Sequence, residues 1–66
     1  MYEELLDRTK NVDLPALCTI NEETAIVTRG VDDCGKYFKV DTAQNNGWLR
    51  INHYYEDGTI TETFER

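Results

Sequence analysis

The chain has 66 residues, of which 13 are acidic and 7 are basic, so its formal net charge at pH 7 is −6. This length allows one domain and leaves little room for the deep pocket that most small-molecule substrates need. The acidic balance disfavours direct binding to nucleic acid and to anionic membranes, because both require a basic surface. Hydrophobic residues make up 39% of the chain, so we expect a small folded core rather than a disordered segment.

The N-terminal segment has neither the basic region nor the apolar run of a signal peptide, and no stretch is apolar enough to cross a membrane. Only two cysteines occur, Cys18 and Cys34. A single pair is not the framework of a disulfide-rich secreted domain. We therefore expect a cytoplasmic protein in which both thiols are reduced.

A helix is predicted over residues 2–11, within an N-terminal helical segment of residues 1–12. Tyr2, Leu5 and Leu6 recur at helical spacing, and acidic residues precede basic ones, an order that complements the helix dipole. The helix should end at Asp13-Leu14-Pro15, because the residue before a proline avoids the α region.

Five short β-like runs are predicted within residues 16–65: Ala16–Ile20, Thr24–Arg29, Lys36–Thr42, Trp48–Tyr55 and Thr59–Glu65. They are separated by Asn21-Glu22-Glu23, a Gly30–Gly35 loop, Asn45-Asn46-Gly47 and Glu56-Asp57-Gly58. Asn-Gly and Asp-Gly between alternating runs are typical of tight hairpin turns. The sequence therefore predicts an α+β fold, a single domain of residues 1–66 in which the helix packs on one face of an antiparallel meander of three to five strands.

Two-residue turns at Asn46-Gly47 and Asp57-Gly58 would fix the register of the last three strands, with Tyr55 facing both Ile60 and Phe38. The same register places His53 beside Glu62. One face then becomes apolar and consists of Phe38, Val40, Leu49, Ile51, Tyr55, Ile60 and Phe64. We expect Tyr2, Leu5 and Leu6 of the helix to cover it, together with Ile26 or Val27. The opposite face becomes polar with three aromatic residues: Tyr37, Lys39, Asp41, Trp48, Arg50, Asn52, Tyr54, Thr61, Thr63 and Glu65.

Four acidic residues fall in two loops that a meander places at the same end of the sheet: Asp32, Asp33, Glu56 and Asp57. Tyr37 is expected opposite Glu56. Such a patch is suited to the Lys and Arg side chains of a partner. Two simpler explanations stay open, since turns favour Asp for backbone reasons and acidic surfaces keep small domains soluble.

Metal and catalytic sites receive weaker support. The segment Asp32-Asp33-Cys34-Gly35 lacks the alternating acids of a calcium loop, and Cys18, Cys34 and His53 lack the paired spacing of zinc ligands. A Cys–His nucleophile is disfavoured by the position expected for His53, and no nucleophile elbow, P-loop or dinucleotide-binding loop occurs. The sequence thus predicts no catalytic residue, no metal ligand and no cofactor, in a protein that is not an enzyme.

The aromatic residues of the predicted polar face are Tyr37, Trp48 and Tyr54. Similar residues stack on the bases of single-stranded nucleic acid, but the net charge opposes that use here. Tyr, Trp and Arg also concentrate binding energy at protein interfaces. We therefore expect these three residues to act as anchors for a protein partner.

In its length, acidity and lack of catalytic motifs, the chain resembles the small acidic proteins with which phages and mobile elements disable host defences, of the anti-CRISPR or antirestriction type. That group has no common motif, so no functional residue is carried over. The resemblance implies a cytoplasmic inhibitor, in the host cell when phage-encoded, that blocks the DNA-binding surface of a CRISPR-Cas or nuclease subunit as a DNA mimic. Small acidic immunity proteins, which cap a toxic nuclease, share this profile.

Two hypotheses of function follow. In the first, the chain is an acidic inhibitor of a protein with a basic, nucleic-acid-binding surface and binds neither nucleic acid nor membrane itself. Its charges come from Asp32, Asp33, Glu56 and Asp57. In the second, it is a small adaptor or subunit domain that binds a protein through the aromatic sheet face or an edge strand.

Overall fold

A computed structural model describes the whole chain, residues 1–66. A helix, α1 (Tyr2–Arg8), precedes the strands β1 (Ala16–Ile20), β2 (Glu23–Asp32), β3 (Gly35–Ala43), β4 (Leu49–Tyr55) and β5 (Ile60–Glu65). The strands form one sheet in the order β1-β2-β3-β4-β5, and every neighbouring pair is antiparallel. The predicted combination of a short N-terminal helix with an antiparallel meander is therefore confirmed in outline.

The helix is shorter than predicted, because it ends at Arg8 rather than continuing to residue 11. Thr9 closes it: its backbone N–H and its hydroxyl both donate to the carbonyl of Leu5, at 3.0 and 2.7 Å. A threonine side chain that bonds the backbone in this way competes with continuation of the helix. Tyr2 and Leu5 are buried as expected, whereas Leu6 is exposed, which corrects its predicted place in the core.

The first two connections are tight hairpin turns. Asn21 and Glu22 both have positive φ, at 51° and 68°, and they connect the paired residues Ile20 and Glu23. The predicted Gly30–Gly35 loop is wrong, because β2 continues to Asp32, which pairs with Gly35. Position 30 has no room for a side chain, because Tyr37 of β3 packs over it and a Cβ atom there would collide with the Tyr37 hydroxyl group.

The last two connections each have three residues between their closing pair rather than two. In the β4–β5 turn, the N–H of Tyr55 donates to the carbonyl of Thr59 and the N–H of Gly58 donates to that of Tyr55. The β3–β4 turn repeats this pattern between Gln44 and Trp48, with Gly47 at φ 86° and Gly58 at φ 94°. A type I turn followed by a left-handed glycine has this geometry and adds one residue to the loop.

Each longer turn shifts the strand register by one residue from the prediction. Phe38 faces Tyr54, and Tyr54 faces Ile60, where Tyr55 was expected in both pairs. Because side chains alternate between the two faces, one shift turns β4 over and the second restores β5. Val40, Phe38, Ile60 and Phe64 therefore share a face as predicted, but the predicted placement of three β4 residues on that face is wrong: Leu49, Ile51 and Tyr55.

We call the side that carries Phe38 and Val40 the helix face and the side that carries Tyr37 and Ile51 the outer face. Tyr2 and Leu5 of α1 share one buried cluster with the helix-face residues Ile20, Ala25, Val27, Phe38 and Val40. The rings of Tyr2 and Phe38 lie 5.1 Å apart. Of the two alternatives for β2, Val27 is in this core, whereas Ile26 faces the other side. On the outer face, Ile51 and Tyr55 are also buried.

Candidate functional site

The two acidic turns lie at the same end of the sheet and are joined by two hydrogen bonds. The hydroxyl group of Tyr55 donates to Oδ2 of Asp32 at 2.7 Å. Immediately beside this contact, the N–H of Glu56 donates to the carbonyl oxygen of Lys36 at 3.0 Å. Asp33 lies in the turn that follows Asp32, and Asp57 follows Glu56. Hydrogen bonds thus hold the carboxylates of Asp32 and Asp57, whereas the exposed side chains of Asp33 and Glu56 lie next to them in the two turns.

Hydrogen bonds also lower the pKa of two of these carboxylates. The pKa of Asp32 is lowered by the Tyr55 hydroxyl first and then by the N–H of Cys34, which donates at 2.8 Å. The pKa of Asp57 is lowered by Thr59, whose N–H donates to Oδ1 at 2.9 Å. Donors that bind the ionised form stabilise it. Both carboxylates therefore stay ionised to a lower pH than an ordinary Asp side chain does.

The backbone positions of the acidic residues follow from their turns. The Asp32 and Asp57 side chains each accept a bond from the backbone N–H two residues further on, which is the reason that Asp is favoured in turns. The expected pairing of Tyr37 with Glu56 is wrong: Tyr37 faces Tyr55, and the backbone of Lys36 bonds Glu56.

The three predicted aromatic anchors do not form one surface. Tyr37 is on the outer face, whereas Tyr54 faces Phe38 and packs against the helix-face core. Trp48 precedes β4 and is covered on one side by the guanidinium of Arg66, which lies 5.3 Å from its ring centroid. The one-residue shift that turns β4 over separates Tyr54 from Tyr37, so the predicted aromatic face is wrong.

An aromatic cluster on the outer face takes its place, built from Tyr37, His53 and Tyr55. The ring of Tyr37 lies 4.8 Å from that of His53 and 5.5 Å from that of Tyr55, both edge-on. His53 faces Thr61, and Asn52 rather than His53 is beside Glu62, which corrects the predicted His53–Glu62 pair. The sequence signal for this cluster was Gly30, since a glycine inside a strand marks a close approach by a neighbouring group.

Arg50 on the helix face binds within the protein rather than pointing into solvent. Its guanidinium donates to Oε1 of Glu23 at 2.9 Å, an interaction that raises the Arg50 pKa. The neighbouring Asn52 is buried and donates through Nδ2 to the Thr61 carbonyl and to Oε2 of Glu62, both at 3.3 Å. These contacts connect β4 to β2, across the intervening β3, and to the neighbouring β5.

Cys18 and Cys34 are free thiols, the first half-buried in β1 and the second exposed in the β2–β3 turn. No group of three or more His, Cys, Asp or Glu side chains is arranged to hold a metal ion.

The only helix, α1, is too short to cross a membrane. Comparison of the chain with protein-family models, curated proteins and solved structures finds no significant match.

Proposed function

We propose that this chain is a non-enzymatic binding protein whose acidic end, defined here as Asp32, Asp33, Glu56 and Asp57, engages a basic surface of a nucleic-acid-handling protein. A subunit of a CRISPR-Cas complex or a nuclease is the partner class that its size and charge favour. The observation that carries the proposal is the hydrogen bond from Tyr55 to Asp32, which holds two acidic turns together at one end of the sheet.

The acidic end would compete with nucleic acid for the partner's Lys and Arg side chains. Carboxylates held on a frame lose little conformational entropy on binding, unlike carboxylates on a flexible tail. With a net charge of −6, the chain would also be steered toward a positive surface before contact. This competition would take place in the cytoplasm, where defence nucleases act.

The first experiment is a pull-down from a prokaryotic lysate treated with nuclease, followed by association kinetics with the protein recovered. The test variant combines Asp33→Asn, Glu56→Gln and Asp57→Asn. It leaves Asp32 unchanged because that side chain bonds Tyr55. Asn keeps the Oδ1 acceptor for the N–H of Thr59, so the turn is preserved.

The matched control combines Glu4→Gln, Asp13→Asn and Glu22→Gln. These side chains are exposed and lie outside the acidic end, and the control removes as many negative charges as the test variant. We expect the test variant to slow association at low salt by about 10-fold, and the control by much less. Equal losses in the two variants would show that net charge alone drives binding. Wild-type kinetics and salt dependence in the test variant would reject the acidic end as the site.

A further inference from the structure

Strand β5 has an open backbone edge, because its only neighbour in the sheet is β4. The bond from the Tyr55 N–H to the Thr59 carbonyl, 2.9 Å long, sets the alternation along this hairpin. In an antiparallel pair every second residue exchanges hydrogen bonds with its partner strand. Thr61 and Thr63 therefore direct their backbone groups to β4, and the N–H and C=O groups of three residues point to the open side: Ile60, Glu62 and Phe64.

This edge lacks most of the features that usually protect an edge strand, and its only charged residues are Glu62 and Glu65. Proteins place Pro, Lys, bulges or very short strands at such edges to prevent pairing with another chain. No Pro, Lys or Gly occurs in β5, and all six of its residues are exposed. At the opposite edge, β1 has five residues and directly follows Pro15. It contributes Ile20 to the buried cluster, and its half-buried Cys18 packs against that cluster.

The side chains of β5 alternate between two different surfaces. On the helix face, Ile60 and Phe64 are 60% and 50% exposed although both are large and apolar. Glu62 lies between them, and its Oε2 accepts the bond from Asn52. No residue of β5 belongs to the buried cluster beneath α1. The strand thus offers two apolar side chains separated by a carboxylate.

Charge decides which strand fits this edge. Strand β5 itself carries Glu62 and Glu65 and no basic residue, and the whole chain carries a net charge of −6. A second copy of the chain would bring the same negative charge to the same edge, which is unfavourable. A segment that places Lys or Arg opposite Glu62 would instead gain a cross-strand pair of opposite charge.

We propose that β5 binds an extended, basic segment of a protein partner by strand addition. The segment has apolar residues at positions i and i+4, to cover Ile60 and Phe64, and Lys or Arg at position i+2, to pair with Glu62. Its backbone bonds the open N–H and C=O groups, as in other cases of β-augmentation. The surface is separate from the acidic end, so this inference stands or falls independently of the proposed function.

The test uses a capped synthetic peptide of sequence Thr-Val-Thr-Lys-Thr-Val-Thr and the full chain labelled with ¹⁵N. Amide hydrogen exchange and chemical shifts are recorded with and without about 1 mM peptide, a concentration that detects weak binding. In the free protein the amides of Ile60, Glu62 and Phe64 should exchange faster than those of Thr61 and Thr63. Peptide should slow exchange at the first three by about 10-fold when the site is largely occupied.

Two altered peptides separate the contributions of charge and backbone. Replacing the Lys with Glu should weaken binding by about 10-fold, because it faces Glu62 with a like charge. Methylating the backbone nitrogens of the peptide that face β5 should abolish binding, since strand addition needs those donors. Unchanged affinity of the methylated peptide would overturn the proposal.

Two variants of one residue provide the matched test on the protein side. Glu62→Thr removes the carboxylate and keeps the outward N–H, whereas Glu62→Pro removes both. Proline is tolerated on an edge strand where its nitrogen faces solvent. We expect weaker, salt-insensitive binding in the first variant and none in the second. If Glu62→Pro unfolds the chain, the methylated peptide decides the question.

Three results would overturn the inference: no binding of the Lys peptide, protection that maps to β1 or to the β2–β3 turn, or a dimer that already protects the β5 amides without peptide. The last result, measured by analytical ultracentrifugation, would identify a second copy as the occupant.

Discussion

The hydroxyl group of Tyr55 donates a 2.7 Å hydrogen bond to Oδ2 of Asp32, a residue 23 positions earlier in the chain. Tyr55 ends β4 and Asp32 ends β2, with β3 between them. The bond therefore connects two hairpins across an intervening strand. It can form because the three-residue β3–β4 turn shifts β4 by one residue from the predicted register. This shift directs the Tyr55 side chain to the outer face.

Removing this hydroxyl should change the titration of Asp32 in a specific way. In Tyr55→Phe we expect the Asp32 pKa to rise toward its ordinary value of 3.8, because its first stabilising donor is lost while the N–H of Cys34 remains. Asp57 is the internal control, since its pKa is lowered by Thr59 and should not move. NMR titration of the carboxyl carbons measures both groups. An unchanged Asp32 pKa would show that the bond is not formed in solution.

The same bond makes the stability of the fold depend on pH under acidic conditions. A carboxyl group whose pKa is lowered by folding stabilises the protein above its unfolded pKa, and this contribution is lost as pH falls through the folded pKa. The unfolding midpoint in urea should therefore fall more steeply below pH 3.8 in the wild type than in Tyr55→Phe. Parallel profiles would contradict this prediction.

At alkaline pH the Tyr55 phenol itself should destabilise the fold as it ionises. The hydrogen bond to Asp32, followed by burial, raises the Tyr55 pKa from 10.0 to about 12. A raised pKa gives stability that is complete below the unfolded pKa and is lost as pH rises through the folded one. The stability difference between wild type and Tyr55→Phe should thus shrink between pH 10.0 and about 12. Denaturant unfolding measures this difference, and a constant value over that interval would refute the assignment.

The strands and their order were predictable because alternating runs separated by Asn-Gly and Asp-Gly leave few arrangements other than a meander. The register of β4 was not, since the same dipeptides fit both the two-residue turn and the three-residue turn with a left-handed glycine. In the first, Ile51 and Tyr55 join the core under α1; in the second, both are buried on the outer face. Both arrangements bury apolar residues, so hydrophobic pattern alone does not choose between them.

A pair of one-methyl deletions distinguishes the two registers by stability. Ile51 is 6% exposed on the outer face, whereas Ile60 is 60% exposed on the helix face. Ile51→Val should cost about 0.5–1.5 kcal/mol, the usual range for this buried change. Ile60→Val should stay within about 0.5 kcal/mol, as surface substitutions do. In the predicted register both residues were in one core, so equal costs in urea unfolding would favour that register.

The acidic end was predictable from topology, because a meander brings alternate turns to the same end. The contacts that join its two turns were not predictable, because they depend on the turned-over β4 and on the extension of β2 through Gly30. An aromatic side chain can cover the bare backbone of a glycine in a strand, and Tyr37 does so at Gly30.

Substitutions at Gly30 and Tyr37 should therefore have strongly non-additive effects on the free energy of unfolding. A Cβ atom at Gly30 would collide with the Tyr37 ring, which packs against His53 and Tyr55. Gly30→Ala should cost about 1–3 kcal/mol, as overpacking does. In a Tyr37→Ala background the same change should be neutral or stabilise by about 0.5–1 kcal/mol, because alanine loses less backbone entropy than glycine. A double-mutant cycle by urea unfolding tests this, and additive effects would contradict it.

The turn between β1 and β2 carries a removable strain at Glu22. Its φ of 68° lies in the left-handed region, which costs roughly 1–2 kcal/mol for a residue with a Cβ atom and far less for glycine. Glu22→Gly should therefore stabilise the protein by about 1 kcal/mol. Asn21→Gly is the matched control: Asn21 also has a positive φ, at 51°, but asparagine tolerates this region, so the gain should be smaller. Thermal unfolding of both variants gives the comparison. A gain at Asn21 equal to that at Glu22 would mean that the strain lies in the turn as a whole rather than in the Glu22 side chain.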